Sequence, residues 1–392
     1  MQGALAAGWN PAILALDGSP RNSYLLPSAA ITLGNNAYSP QFLSQVFIKG
    51  KHLTDGETSD LLGELKSGEW NIYGGGYLPL FGISSGAVAL NAFDLHYAGS
   101  GSVPKDMFDL LFKGTETGRI YRLDNLSEES YGYWTIAFSG AKKLNPPPFF
   151  REFSIGGTVR YMRGLGYNSI SRAGGFFQIT SDTIHCDGSI QSLQAGAGDG
   201  VGLDLAVAGW LEPLGGSVGL TLGNLLGDIQ WAGVTSRELF FSRHSGIDID
   251  SVSRKGYWQN FFNDRDTSYS YGALGTPLPR YFLLAIRRSD HVFRRNGSWF
   301  VSWYQGLNKV VGNSTIPRLS VGQELSTCRW FAARAGVGVG GLEGFTLAGG
   351  VGLRFNRYKF DLGGSWHRGV MNGAKGFTLA VTNSLNSMPW DK

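Results

Sequence analysis

The sequence predicts an all-β protein, a transmembrane antiparallel β-barrel of about 14 strands with an N-terminal plug segment and one or two short helices. Three observations support this prediction. Glycine supplies 58 of the 392 residues, and aromatic residues are plentiful, with 24 Phe, 16 Tyr and 11 Trp. Charged residues make up only 16% of the chain, below the roughly 25% of a typical soluble domain. Apolar and small residues alternate with a period of two, as side chains do along a strand.

The alternation is clearest in the C-terminal third of the chain. The apolar residues of GFTLAGGVGLRF share one face of a strand: Phe345, Leu347, Val351, Leu353 and Phe355. The opposite face carries Thr, Ala, Gly and Arg. Four further segments repeat the pattern: 201–211, 218–222, 358–366 and 377–382. The pattern therefore indicates a sheet with two different environments.

Two architectures fit such a sheet. In a soluble sandwich the apolar face is the core, whereas in a membrane barrel it meets lipid and the lumen takes small and polar side chains. The small residues opposite the apolar face favour the barrel. Aromatic residues at strand ends, such as Phe345, Phe355, Tyr358 and Trp366, match the girdles of a membrane barrel. No apolar helix is available to cover the sheet.

Strand-like runs extend from about residue 27 to about residue 385, at the spacing that membrane barrels use. The predicted strands include 68–77, 82–97, 132–142, 152–164, 171–182, 189–196, 201–211, 217–231, 280–288, 297–305, 317–326, 329–340, 345–355, 358–367 and 375–385. Residues 71–93 contain no charge, but their glycines and Pro79 would break a spanning helix. We therefore predict two strands there, with a turn at Leu78-Pro79.

The connections between strands are unequal. Tight turns are predicted at Asn356-Arg357 and at Ser326–Cys328. Residues 232–279 are predicted to be a long aromatic loop, which contains Tyr257, Trp258, Phe261, Phe262, Tyr269 and Tyr271. Residues 103–113 predict a short helix with Met107, Leu110 and Leu111 on one face. Residues 59–66 predict another, capped by Ser59 or Asp60.

The first residues pose a separate question, because GWNPAILAL at 8–16 is apolar and too short to cross a bilayer. It resembles the NPA-x-L segment near the mature N-terminus of the FadL-type long-chain fatty acid transporter superfamily, which includes PorV-like barrels and an uncharacterised group of Gram-negative outer-membrane proteins. The segments that resemble this group, in order, are VPKDMFDLLFKG, GVGLDLAVAGWL with VGLTLGNLLGDIQW, TPLPRYFLLAI, and PRLSVGQELSTCRWFAARAGVGVGG.

The resemblance covers nearly the whole chain and implies a barrel whose N-terminal segment folds into the lumen as a hatch. It implies a division into a plug, 1–26, and a barrel, 27–392. The residues that it places in the plug are Trp9, Asn10, Pro11, Ala12 and Leu14. From the residues alone, 8–16 can also be a first strand or an unstructured end. A dry place in the lumen would suit an apolar segment that has no sheet partner.

Enzyme chemistry has little support in the sequence. No GxSxG, HExxH or P-loop pattern is present, and the glycines of AGAGDGVGLD lead into a strand rather than a helix. We expect no enzyme activity, no metal site and no cofactor. The net charge of +4 comes from mixed signs, which argues against nucleic acid as a partner. Cys186 and Cys328 can pair or stay reduced, and the sequence leaves this open.

Four charged residues alternate with apolar neighbours and are predicted to face the lumen: Asp204, Arg354, Lys359 and Asp361. There Asp204 and Asp361 could pair with Arg354 or Lys359. Such pairs would brace the wall or form a polar constriction.

Three functions remain open at this point. The first is a passive outer-membrane channel for hydrophobic small molecules, with lipid and a hydrophobic ligand as partners. The second is a barrel that docks other envelope proteins, as PorV-like relatives do in secretion, through Tyr257, Trp258, Phe261 and Phe262. The third is a soluble Gly-rich β-protein that binds carbohydrate. We favour the first, in the bacterial outer membrane, and expect that a signal peptide has been removed.

Overall fold

The barrel is formed by one antiparallel sheet that closes on itself. The computed structural model describes residues 3–181, 183–246, 263–292 and 295–387. The strand segments are β1 (Asn22–Asn35), β2 (Glu69–Leu78), β3 (Phe81–Ser85), β4 (Val88–Pro104), β5 (Ile120–Arg122), β6 (Ser127–Leu144), β7 (Phe150–Ile179), β8 (Thr183–Ala195), β9 (Ala197–Leu211), β10 (Gly216–Gly223), β11 (Asp228–Gly246), β12 (Asn263–Pro277), β13 (Tyr281–Val292), β14 (Arg295–Gly306), β15 (Arg318–Cys328), β16 (Phe331–Gly340), β17 (Thr346–Phe355), β18 (Tyr358–His367) and β19 (Gly376–Asn386). Because β1 pairs with both β2 and β19, the sheet has no free edge there.

The 19 segments of the described residues exceed the expected number of about 14, because several long strands are interrupted. Two consecutive segments that pair with the same neighbouring strand are parts of one longer strand. This applies to β2 with β3, β5 with β6, β8 with β9, β10 with β11, and β12 with β13. Leu78-Pro79 is therefore an interruption within one strand and not the predicted turn. Pro79 has no N–H to donate to the ladder, which explains the break. Conversely, the predicted strands 152–164 and 171–182 are one strand, β7.

The apolar face of the strands points outward. Phe138 and Val159 are each 60% exposed and Leu379 is 57% exposed, although all three lie within strands. Phe345, Phe355 and Trp366 are also exposed large side chains, at the strand ends where the sequence places them. A soluble sandwich would bury this face as its core. The exposed apolar belt around a closed barrel is what lipid requires.

The two ends of the barrel differ. At one end, here called the short-turn end, the strands are joined by brief connections such as 86–87 and 356–357. At the other, the long-loop end, residues 36–68, 105–119 and 307–317 form long connections. The turn at Asn356-Arg357 is confirmed, and Asn356 has the positive φ of 53° that such turns require. The turn predicted at Ser326–Cys328 is wrong in position, because β15 continues to Cys328 and the turn follows at 329–330.

The loop predicted at 232–279 is wrong for most of its length. Residues 232–246 belong to β11 and residues 263–277 to β12, and these two segments pair with each other. Tyr269 and Tyr271 lie in β12 and are exposed. The strand continues because its aromatic and β-branched residues favour sheet. Tyr257, Trp258, Phe261 and Phe262, on which the docking hypothesis rests, lie outside the described residues.

The α-helices of the described residues are α1 (Gly3–Ala7), α2 (Pro40–Leu43), α3 (Asp55–Glu64) and α4 (Lys105–Lys113). The prediction of a helix in 103–113 is confirmed, but the predicted face is wrong, since Leu111 is 68% exposed while Phe108 is buried. Helix α3 begins earlier than expected, with Thr54 as its cap rather than Ser59 or Asp60. Thr54 forms a reciprocal capping box with Glu57. In the sequence, this spacing was less conspicuous than the SDLL segment that follows it. In the described part of the chain, no helix is long and apolar enough to cross a membrane.

Candidate functional site

The N-terminal segment, residues 3–19, lies against the inner face of the barrel wall near the short-turn end. It consists of α1 and a 3-10 helix, Pro11–Ala15. The wall side chains that it contacts, including Ser154 and Ala206, alternate with exposed outward-facing residues such as Ile155 and Leu205. The contact therefore lies inside the barrel and not on its lipid face.

The NPA sequence explains how the segment attaches. Asn10 caps the 3-10 helix, and its Oδ1 accepts a hydrogen bond from Ala12 N at 3.1 Å. Its Nδ2 donates to the carbonyl oxygens of Val207 and Leu220 in the wall, at 3.2 and 3.3 Å. Pro11 suits the first helical position because its missing N–H would have no partner there. One asparagine thus holds the turn together and fixes it to β9 and β10.

Further bonds fix the backbone of the segment. Ser154 Oγ donates to Ala12 O at 2.8 Å, and Thr221 Oγ1 donates to Trp9 O at 3.0 Å. At the N-terminal side, Ala4 N donates to Ser23 Oγ at 2.7 Å. At the other side, Asp17 N donates to the buried Glu152 Oε2 at 2.8 Å.

Gly156 on the wall packs directly against the backbone of the segment. A Cβ built on this residue would lie 2.5 Å from Ala12 N and 2.8 Å from Ala12 Cα, so only glycine fits there. Of the residues that the sequence assigns to the plug, Asn10, Pro11, Ala12 and Leu14 are buried. Trp9 differs, with 46% of its surface exposed.

A second insert enters from the long-loop end and was not predicted. Residues 307–317, which we call the strap, connect β14 to β15 and fold into the barrel. Val311 is 5% exposed and belongs to a buried cluster with Met162, Trp231 and Leu278. The hydroxyl of Tyr131, on β6, donates to Val311 O at 3.3 Å. Because β6 is several strands away from β14 in the sheet, the strap crosses the lumen.

Two asparagines hold the strap. Asn313 is buried, and its Oδ1 accepts from the Tyr304 hydroxyl at 2.8 Å. Its Nδ2 donates to Arg280 O and to Asn308 O, each at 3.0 Å. Asn308 Nδ2 in turn donates to Leu278 O at 2.9 Å. The strap is therefore fixed at its base by side-chain bonds rather than by a strand partner.

We expect Asn313→Ala to loosen the strap, because it leaves the Tyr304 hydroxyl and the Asn308 carbonyl without this partner, while Arg280 O keeps its bond from Leu307 N. Each such loss costs about 1–3 kcal/mol. Trypsin cleavage after the exposed Lys309, measured on the folded protein in detergent, should accelerate roughly tenfold or more. Thr315→Ala, at an exposed position of the same strap, should cleave at the wild-type rate. Equal cleavage of the two variants would contradict the anchoring role of Asn313.

The inner wall carries a charged network on β15–β18. Arg334 Nε binds Glu324 Oε2 at 2.6 Å, and Arg334 Nη1 binds Asp361 Oδ1 at 2.7 Å. Arg354 contacts Glu324 at 3.1 Å, and Lys359 contacts Asp361 at 2.9 Å. The structure thus brings Arg354, Lys359 and Asp361 together as the sequence expects. The network lines one side of a cavity of about 410 Å³, whose other walls are mostly Gly, Ala, Ser and Thr.

Asp204 lies elsewhere in the barrel. It is 3% exposed, and its carboxylate pairs with Arg160 on β7 rather than with Arg354 or Lys359. Its Oδ1 also accepts from Asn224 N at 2.7 Å. The expected pairing was wrong because β9 lies beside β7 and far from β17 and β18 around the sheet. Sequence alternation gives the face of a residue but not its neighbours across strands.

An apolar cap, defined here as Tyr38, Leu61, Leu62, Leu65 and Phe108, lies at the long-loop end, next to the ends of β2 and β4. The Tyr38 hydroxyl donates to Leu61 O at 2.9 Å, and burial raises the pKa of this phenol. Beside the cap, Phe47, Ile48 and Leu111 are exposed apolar side chains. At the start of α3, hydrogen bonds from Lys51 and from the Thr54 backbone lower the pKa of Glu57 to about 2.

No protein-family model and no curated protein matches this chain. Solved structures do match it in fold. The toluene transporter TbuX of Ralstonia pickettii aligns with a TM-score of 0.52 at 11% identity, over 98% of this chain and 94% of that chain. The toluene transporter TodX of P. putida aligns with a TM-score of 0.52 at 11% identity, over 97% and 93%. A TodX deletion mutant, described as a monoaromatic hydrocarbon channel, gives 0.54 at 10% identity, over 98% and 96%.

The chain has the fold of these hydrocarbon transporters. The antiparallel β-barrel that the sequence predicted is therefore confirmed as a fold. The agreement extends over almost the full length of both chains.

Several interior residues were not anticipated. Arg334 lies between Ala333 and Ala335, much as Asp361 lies between Phe360 and Leu362, so the period-two signal was present there and could have identified it. At Glu324 the signal was weaker, because Gln323 precedes it. Arg160 also follows this alternation along β7. The strap gave no such signal, since its fold depends on tertiary bonds of Asn308 and Asn313. Cys186 is buried in β8 and Cys328 is exposed at the end of β15, and no disulfide joins them.

Proposed function

We propose that this chain is a passive bacterial outer-membrane channel for hydrophobic small molecules, with its N-terminal segment acting as a plug. The observation that carries the proposal is the position of that segment. Ala12 is fully buried against Gly156 on the inner wall, and Asn10 bonds to the wall of the barrel. A segment held inside a closed barrel by a few hydrogen bonds suits a removable barrier.

The interior suits apolar molecules. A buried cluster of Tyr131, Met162, Trp231 and Val311 fills the middle of the described barrel. Ligand pockets for such molecules are lined by hydrophobic and aromatic side chains with a few polar groups. Exposed apolar residues next to the cap offer a surface on which hydrophobic molecules could first adsorb. The transporters of similar fold are named for toluene and monoaromatic hydrocarbons, which agrees with this substrate class.

Permeation would require both the N-terminal segment and the strap to move out of the lumen. The N-terminal segment obstructs the short-turn end and the strap obstructs the middle of the lumen. The Arg334 network and its small-residue cavity form a more polar side of the same lumen. A molecule without hydrogen-bonding groups would lose solvation least on the aromatic side.

The test is uptake of a labelled aromatic hydrocarbon, ethylbenzene, by Gram-negative cells that produce either the full chain or a variant lacking residues 1–16. We expect the full chain to increase uptake at least severalfold over cells without it, and the deletion to change both uptake and single-channel conductance. Gel migration with and without heating confirms that the deleted protein still folds. Unchanged uptake and conductance in a folded deletion variant would contradict the plug, and no uptake by the full chain would contradict the channel.

A further inference from the structure

One carboxylate inside the barrel has an oxygen that accepts no hydrogen bond from the described residues. Asp94 on β4 is 5% exposed, and its Oδ2 accepts a hydrogen bond from the Tyr77 hydroxyl at 3.1 Å. Its Oδ1 is buried and receives no donor from any described residue. Burying an acceptor without a partner is costly, by about 1–3 kcal/mol and more for a charged group. Such groups are few in native structures, and each needs a physical explanation, of which a functional role is one.

A β-bulge places the carboxylate there. The pairing of β4 with β6 shifts between Ala92 and Asp94, and Phe93 takes a positive φ of 59°. Phe93 points outward and is 54% exposed, while Asp94 turns to the interior. Positive φ is strained for a bulky residue, so the chain sustains strain at the residue that directs Asp94 inward. Bulges commonly re-aim a side chain next to a functional site.

Aromatic rings form a wall beside Asp94. Tyr77 packs against His96 with ring centroids 4.8 Å apart, and His96 stacks on Tyr133 at 4.7 Å with an interplanar angle of 4°. Tyr133 continues into the buried cluster that holds Met162 and Val311. The acceptor oxygen thus lies at the edge of an apolar and aromatic surface. Such a surface fits a hydrophobic body with one polar group.

The local charge is unbalanced. Arg160 interacts electrostatically with Asp94, but its guanidinium is bound to Asp204. Two carboxylates and one guanidinium leave one negative charge in excess. A hydrogen-bond donor or a positive charge is therefore favoured at Asp94, and an anion is disfavoured.

The position lies between the two inserts. A Cβ built on Gly8 of the N-terminal segment would lie 3.9 Å from the Tyr77 hydroxyl, and one built on Gly312 of the strap would lie 3.6 Å from Ala98 Cβ. Tyr77 pairs with His96, and Ala98 follows only two residues later on β4. Any molecule that moves through the lumen between the inserts passes this level of the barrel.

We propose that Asp94 Oδ1 is the polar contact of a substrate-binding position, and that the channel prefers hydrophobic molecules that carry a hydrogen-bond donor, a hydroxyl or an ammonium group, over plain hydrocarbons. Tyr77, His96 and Tyr133 hold the apolar body while Asp94 accepts the donor. This inference rests on the proposed function and narrows its substrate class.

The test is calorimetric binding of three probes of nearly equal size to the purified full chain in detergent: ethylbenzene, 2-phenylethanol and 2-phenylethylamine. We expect the alcohol or the amine to bind the wild type roughly tenfold more tightly than ethylbenzene, as one charge-assisted hydrogen bond allows. Asp94→Leu should abolish this preference and leave ethylbenzene binding within about twofold. Asp199→Leu, which removes an exposed carboxylate on β9, should leave all three affinities unchanged.

Asp94→Asn separates the two donors and covers the case in which Asp94→Leu does not fold. Its amide oxygen still accepts from a hydroxyl but has no charge for an ammonium, so it should retain the preference for the alcohol and lose that for the amine. Equal binding of the three probes to the wild type would overturn the inference and leave the channel intact. So would a preference for either donor that survives in folded Asp94→Leu, or a preference for the amine that survives in folded Asp94→Asn. Binding of none of the probes would overturn the channel as well.

Discussion

Gly156→Ala should release the N-terminal segment from the wall and raise the conductance of the barrel. The new Cβ would lie 2.5 Å from Ala12 N and 2.8 Å from the carbonyl carbon of Pro11, both of them backbone atoms that cannot rotate away. Overpacking of this kind costs about 1–3 kcal/mol. The bonds from Asn10, Ser154 and Thr221 that hold the segment each contribute about 1 kcal/mol net. The two effects are comparable, so the fraction of open channels should rise at least about tenfold.

Planar-bilayer recording measures this effect, and Gly140→Ala provides the matched control. Gly140 lies on the neighbouring strand β6, pairs with Gly157, and has open space where its Cβ would be placed. The same glycine-to-alanine change should leave the conductance at its wild-type level there. Similar recordings from the two variants would mean that the contact between Ala12 and Gly156 does not close the barrel.

Of the single substitutions that we propose in the barrel interior, Asp204→Ala should lower the free energy of unfolding most. Asp204 is almost completely buried, and the side chain of Arg160 is only 16% exposed. Removing one partner of a buried ion pair typically costs about 3–5 kcal/mol. Here it leaves the Arg160 guanidinium without the carboxylate that it bonds. Asn224 N would lose its acceptor as well. The free energy of unfolding, measured by urea titration in lipid, should fall by that amount.

Two further variants test whether this loss of stability comes from the buried ion pair. Asp199→Ala removes the partner of Arg163 in an exposed pair, whose side chains are 42% and 55% exposed, and should leave the free energy of unfolding close to that of the wild type. The double variant Arg160→Met with Asp204→Ala should recover part of the loss, because the guanidinium that lost its bonded carboxylate is then removed as well and only Asp94 keeps a buried charge there. If Asp204→Ala is as mild as Asp199→Ala, the pair is solvated in the membrane and the lumen is wet at this level.

The barrel could be predicted because its signal is local. Alternation along single segments such as 345–355 and 358–367 gives both the strand and its two faces, without knowledge of any partner. The positions of breaks could not be predicted in the same way. Proline at 79 indicated a turn, whereas the neighbouring strand β1 keeps β2 and β3 in one line. The strands around 232–279 were missed because aromatic residues were interpreted as a loop surface.

The interior residues likewise divide into features that the sequence could predict and features that it could not. The capping role of Asn10 and Pro11 follows from the NPA sequence itself, whereas the wall atoms that they meet depend on which strands are adjacent. Asp361 could be assigned to a pair with Lys359 because the two lie two residues apart on one strand. The partner of Asp204 could not, because Arg160 is 44 positions earlier. Asp94 was missed because a bulge reverses the face that simple alternation assigns to it.

The most direct test of this account is the gel migration of the detergent-extracted protein with and without heating. A closed membrane barrel resists the detergent until it is boiled. We therefore predict a faster band in the unheated sample that shifts on boiling. A protein that dissolves in plain buffer and shows no shift would contradict the lipid-facing apolar belt. It would then also contradict the assignments of the lumen, the plug and the channel.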